Sequence, residues 1–208
     1  MRRNEFRAVA LAGALVAVSG LVSPRLPERR AAAAHAVSGA VLAAVTRTHL
    51  GSRPPALTRG LRTGAAAGAV VATAVAAAST VPAVRSAMAA RDLPDAPARW
   101  LLARIPLGTV WAEEAAYRGA LGQLGARAFG PTRGRLLQSV AFGLSHIADA
   151  RAAGEPVVGT VVVTGMAGWV FALLAERSGS LIAPMLAHLA VNESGALAAL
   201  AVQRHRRT

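Results

Sequence analysis

The chain has 208 residues, 54% of them hydrophobic and 16% charged, where a soluble domain carries roughly 25% charged residues. Its formal net charge is +13 and every basic residue is arginine, but the arginines are scattered, and one tyrosine and four phenylalanines form no aromatic and basic stacking surface. The composition therefore excludes a nucleic-acid partner and points to anionic lipid headgroups, while the absence of cysteine excludes disulfides, thiolate metal sites and cysteine nucleophiles.

In chain order, the first apolar run is Ala8 to Pro24, behind Arg2, Arg3 and Arg7. A basic start and a short apolar stretch also describe a secretory signal peptide. Another apolar segment follows instead of a polar mature domain, so the run reads as an uncleaved first anchor. Ala31 to Thr46 is the second run. The connection from Arg47 to Arg62, with Gly51, Pro54 and Pro55, is the longest hinge-like stretch near the N-terminus.

Thr63 to Val84 then has no charge in 22 residues, and Pro156 to Ala175 has none in 20. Both reach the roughly 20 residues that cross a bilayer. Between them lie Ile105 to Ala126, apolar except for three charges, and the 13-residue run Leu136 to Ala148, which arginines at its ends could extend by snorkelling. Ser178 to Gln203 is interrupted only by Glu193. The expectation is an all-α, polytopic transmembrane bundle of about seven spans, six to eight, with a mean hydropathy of +0.43 in support.

An alanine-rich soluble bundle is the competing reading, but it requires polar faces at a period near 3.6, and Ala65 to Ala78 is apolar on every side. Gly64 and Gly68 form a GxxxG, read as helix packing and not as dimerisation. Arginines divide eleven against eleven between the two faces of a seven-span arrangement, so the positive-inside rule sets no orientation. One integrated domain is expected, with membrane helices over 1–99 and a core carrying the polar positions over 100–203. The absence of lysine fits GC-rich coding, and the expected location is a bacterial cell membrane.

The polar positions inside apolar segments carry the functional signal. Glu113, Glu114 and Arg118 fall within six residues, and each charge at the centre of a membrane helix costs roughly 2.5 to 3.5 kcal/mol on insertion scales. On a helix Glu114 and Arg118 are four apart, acid before base, which favours an ion pair. Glu113 is turned away by about 100° and left free. Phe142 and His146 are four apart in a later run, and His188 and Asn192 repeat the spacing near the C-terminus. Three helices thus offer a carboxylate, two imidazoles and an amide for one hydrolytic site.

Bland readings stand beside this. Glu114 and Arg118 could be a packing device, the histidines could be structural, and Phe142 reads as core packing. His35, His49, His205 and Glu193 fit no motif. A small transporter using Glu113 as a proton carrier would also place carboxylates and histidines in a membrane core.

The succession Glu-Glu-x-x-x-Arg, Phe-x-x-x-His and His-x-x-x-Asn, in this order on successive apolar segments, resembles the CPBP family of intramembrane proteases. That family includes the CAAX prenyl endopeptidases and the bacterial Abi and bacteriocin self-immunity proteins. The resemblance spans about Trp100 to Ala201. It implies a membrane endopeptidase with a peptide or protein substrate, in which Glu113 and His146 position and deprotonate a water. His188 and Asn192 would stabilise the oxyanion, with Glu114, Arg118 and Phe142 supporting them.

The same resemblance leaves metal dependence open. Glu113, His146 and His188 would make a His2Glu zinc set with water in the fourth place, and a metal-free mechanism uses the same residues. No HExxH helix decides between them. A non-proteolytic scaffold or immunity factor of the same family is the alternative function.

Overall fold

The computed structural model describes residues 2–205, and every regular element among them is helical. Arg206 and Arg207, counted in the charge tally, lie outside the described residues. Helix α1 (Arg3–Arg25) opens the chain, followed by α2 (Glu28–Val45), α3 (Ala56–Ala78) and the short α4 (Pro82–Ala90). Helix α5 takes residues 97–129, and α6 (Pro131–Ser145), α7 (Ile147–Ala152), α8 (Val157–Ser178) and α9 (Ile182–His205) complete the bundle.

Four of these, α1, α3, α8 and α9, are long and apolar enough by length and composition to cross a membrane. Large apolar side chains face outward from several helices, among them Val70 on α3, Leu102 on α5 and Val158, Val163 and Met166 on α8. Outward apolar surface of this extent marks a lipid-facing protein. With four such helices, the protein is an integral membrane protein.

Two apolar runs end differently from their sequence boundaries. The run Thr63 to Val84 is not one helix: α3 starts earlier, at Ala56, and stops at Ala78. The hydroxyls of Ser79 and Thr80 donate back to the carbonyls of Ala76 and Ala77, and Pro82, which has no N–H to continue the ladder, starts α4 in its first turn. The run Leu136 to Ala148 is likewise cut, because α6 ends at Ser145 and His146 (φ −89°, ψ 3°) separates it from α7.

Helix α5 has a pitch that periodicity does not announce. Trp100–Trp111 and Glu114–Leu121 are π-helical, Ala112 and Glu113 between them are α-helical, and Gly122–Phe129 returns to α. Pro106, inside the first π-helical stretch, cannot donate to the i−4 carbonyl and displaces the regular ladder. Gly130 (φ +82°) then reverses the chain, and Pro131 begins α6.

Small residues bring the site-bearing helices together. Along the seam between α3 and α9, Gly60, Gly64 and Gly68 are all buried. A Cβ on Gly64 would lie 2.8 Å from the Ala183 carbonyl oxygen. The GxxxG expectation of packing is what the structure shows, extended by one further glycine. Helix α2 approaches α5 beside the acidic pair: a Cβ on Gly39 would stand 2.9 Å from the Ala112 Cα, and the Trp111 indole donates to the Ala36 carbonyl at 3.0 Å. Helices α6 and α8 meet over Gly143 and Gly168, the latter beneath the Phe142 ring.

Candidate active site

Glu113 stands at the α-helical junction between the two π-helical stretches of α5. A lengthened turn of this kind, which recurs at functional sites, re-aims the side chains around it. Of the acidic pair, Glu114 is fully buried and Glu113 is the more open, with its side chain 28% exposed. Arg118 is as buried as Glu114.

Glu114 occupies the centre of a charged chain that joins two helices. Its Oε2 lies 3.2 Å from Arg118 Nε, an ion pair out of hydrogen-bond alignment. Its Oε1 is 2.8 Å from His188 Nδ1. On the other edge of the same imidazole, Nε2 is 3.8 Å from Glu113 Oε2. The order in space is therefore Arg118, Glu114, His188, Glu113. Sequence reasoning paired Glu114 with Arg118 and left Glu113 free, and the structure adds His188 between the two glutamates.

The hydrogen bond to Glu114 has a chemical consequence. A carboxylate only accepts, so His188 Nδ1 carries the proton and Nε2 is left as the working nitrogen facing Glu113. His146 is arranged in the same way, with Nδ1 2.8 Å from the Phe142 carbonyl oxygen, which again can only accept. Both imidazoles have Nδ1 committed and Nε2 available.

Phe142 is the hub of the aromatic packing. Its ring meets His146 edge-on at a centroid distance of 4.7 Å, Tyr117 at 5.1 Å and His188 at 6.2 Å. The Arg118 guanidinium carbon sits 4.0 Å from the Phe142 centroid and 5.0 Å from that of Phe171. Neither terminal nitrogen of Arg118 has a hydrogen-bond partner among the described residues. The two π faces stand where water would otherwise solvate the cation.

Asn192, one turn beyond His188 on α9, donates from Nδ2 to the His188 carbonyl at 3.1 Å. That bond leaves its second amide proton and its carbonyl for other work. The structure thus joins Glu114, Arg118 and His188 directly, sets Glu113 3.8 Å from the free edge of His188, ties Asn192 to the His188 turn, and sets His146 and His188 against one Phe142 ring.

The residues named as zinc ligands, Glu113, His146 and His188, are not gathered as a metal ion requires. Among the described residues no three histidine, aspartate or glutamate side chains are so grouped. A partly open cavity of about 620 Å³ has Arg118, Gln138, Arg135 and His49 in its wall. Glu113, His146, His188 and Asn192 do not line it.

Phe171 was missed by sequence reasoning. It lies in the uncharged part of α8, one of four phenylalanines in the chain, with no polar residue three or four positions away to single it out. Its ring stacks on His188 with centroids 5.0 Å apart and planes 24° from parallel.

Residues 95–193 match the family described as type II CAAX prenyl endopeptidase Rce1-like. The matched segment contains each of the motif residues Glu113, Glu114, Arg118, Phe142, His146, His188 and Asn192. No curated protein and no solved structure matched the chain.

Proposed function

Because residues 95–193 match the Rce1-like family of type II CAAX prenyl endopeptidases, we propose that the protein is an intramembrane endopeptidase whose water is activated by Glu113. The observation that carries this reading is the buried succession of Arg118, Glu114, His188 and Glu113, with contacts of 3.2, 2.8 and 3.8 Å. It ends on a half-open carboxylate, which is where a base has to meet its substrate.

Glu113 accepts the proton of a water whose oxygen attacks the peptide carbonyl carbon, and His146 Nε2 accepts the second hydrogen bond from that water. Charge then develops on the carbonyl oxygen. Asn192 donates to it through its free amide proton, and His188 donates through Nε2 when the ring carries both protons, with the ionised Glu114 as its counter-charge. Glu113 returns the proton to the amide nitrogen, the C–N bond breaks, and an acid and an amine leave. No step is routed through a metal, since the donor groups are not assembled around one point.

We place the protein in a bacterial cell membrane with seven passages, α2, α5 and α6 completing the four longer spans. Its substrate is then a peptide or protein segment presented at the bilayer, and prenylated C-terminal tails are the first class to try.

The test is hydrolysis of internally quenched peptides, with and without a farnesylated cysteine, by the detergent-solubilised protein. The wild type cleaves at least one of them. Glu113→Gln lowers kcat by about 10²-fold or more with the thermal unfolding midpoint unchanged. His146→Ala and Asn192→Ala each lower kcat with smaller effects on KM. Full activity in Glu113→Gln would end this assignment. Proton-coupled uptake in proteoliposomes, lost in the same variant without any peptidase activity, would replace it with transport.

A further inference from the structure

His188 is held at one atom by Glu114, and one hydrogen bond does not fix a ring. Rotation about the bond joining the imidazole to its Cβ is broad and roughly two-fold, unlike the staggered torsions of aliphatic chains. The ring plane can therefore turn about that bond within what the 2.8 Å contact to Glu114 tolerates, changing the direction in which Nε2 faces Glu113. Something must set the plane.

Phe171 is placed to do that. It is buried, 5% exposed, on α8, a helix that supplies none of the charged or titratable groups of the site. Its ring lies nearly parallel to the imidazole, 24° off with centroids 5.0 Å apart, the offset-stacked arrangement that aromatic pairs favour. The same ring faces the Arg118 guanidinium carbon at 5.0 Å. It touches both ends of the Arg118, Glu114, His188 succession, and Phe142 meets His188 edge-on at 88° from a different helix.

We propose that Phe171 is a positioning residue: by stacking on His188 and on the Arg118 guanidinium it fixes the plane of the imidazole and so aims Nε2 at Glu113. The inference rests on the proposed hydrolytic role of His188 for its consequence in turnover, and on the contacts alone for its consequence in ring orientation. Its burial keeps Phe171 from touching substrate, so its effect belongs in kcat and not in KM.

Two conservative variants separate the stacking face from bulk. Phe171→Leu fills the space with apolar atoms and has no π face, while Phe171→Tyr keeps the ring. In Phe171→Leu, kcat falls by about 10- to 100-fold, the order expected when a reacting group is misplaced by an ångström, with KM within about two-fold of wild type. Phe171→Tyr restores most of kcat. A second readout needs no activity: NMR of imidazole-15N-labelled protein in detergent follows the His188 ring nitrogens and the Nδ1 proton bonded to Glu114.

That proton signal is sharp and shifted in wild type and in Phe171→Tyr, and broadened or moved in Phe171→Leu at an unchanged unfolding midpoint. An unaltered His188 signal in Phe171→Leu overturns the proposal whether or not the protein is a peptidase. A perturbed signal with no peptidase activity in any form keeps the positioning role and removes only the proposed reaction. A loss of kcat in Phe171→Leu that Phe171→Tyr does not recover also overturns it.

Discussion

The charged succession around Glu114 and the glycine seam between α3 and α9 solve the same problem by opposite means. At the seam there is almost nothing polar to satisfy, and the helices approach because Gly60, Gly64 and Gly68 have no side chains to keep them apart. Around Glu114, two acids and a guanidinium are buried or half-buried, and each is held by contact with another. His188 depends on both. Its helix is docked by the seam and its ring is oriented by the charges.

Breaking the charged side has the largest expected effect. Arg118→Met keeps much of the packing volume between Phe142 and Phe171 but leaves Glu114 without its cation. A buried pair broken from one side typically costs about 3–5 kcal/mol, because the remaining charge is uncompensated. Thermal unfolding in detergent reads this as a marked fall in midpoint. Adding Glu114→Gln to Arg118→Met recovers a large part of the loss, giving a coupling energy well above about 1 kcal/mol in a double-mutant cycle. Independent, additive costs would show that Glu114 is stabilised from elsewhere.

Much of this pair was legible in the sequence, since Glu114 and Arg118 are four apart on one helix and that separation is local. The contact of Glu114 with His188 was not, because the residues are 74 positions apart and only the docking of α9 brings them together. The same holds for Phe171, whose partners lie on α5 and α9. Spacing placed His146 four residues after Phe142, but could not show that the helix ends at Ser145 and that His146 Nδ1 turns back onto the Phe142 carbonyl. The apolar run Thr63 to Val84 was correct as composition and wrong as one helix, because hydropathy does not register that Pro82 lacks a donor. The π-helical pitch of α5 left no mark in periodicity except Pro106.

Filling the seam is the next largest break. Gly64→Val puts a Cβ 2.8 Å from the Ala183 carbonyl oxygen, so backbone must move. Overpacking of this kind costs about 1–3 kcal/mol, and activity falls with it because α9 carries His188 and Asn192. Gly68→Ala is the milder counterpart: its new methyl would stand 3.4 Å from the Ala190 Cβ and 3.5 Å from the Leu186 carbonyl oxygen, near ordinary contact and not inside it. That variant is expected to unfold within about 1 kcal/mol of wild type, the helix gaining what alanine offers over glycine. Equal damage from the two substitutions would mean that the whole α3 face, and not the approach at Gly64, limits the docking.

The smallest effect is expected at a second arginine and glutamate pair, which serves as an internal control on what burial does to charge. Arg135 on α6 makes a two-pronged contact with Glu176 on α8, 3.1 Å from Nε to Oε1 and 2.6 Å from Nη2 to Oε2. Its geometry is better than that of Arg118 with Glu114, and its guanidinium also lies over Trp169 at 4.6 Å. Yet its side chains are 14% and 42% exposed, so water can solvate whichever partner is left behind. Arg135→Met should therefore cost about 1 kcal/mol or less, with the proposed peptidase activity unchanged, since neither residue touches Glu113 or His188. The two arginine variants remove the same group and differ in the access of water to the orphaned acid. A fall in midpoint for Arg135→Met equal to that for Arg118→Met would show that ion-pair geometry, and not burial, determines the cost at both sites.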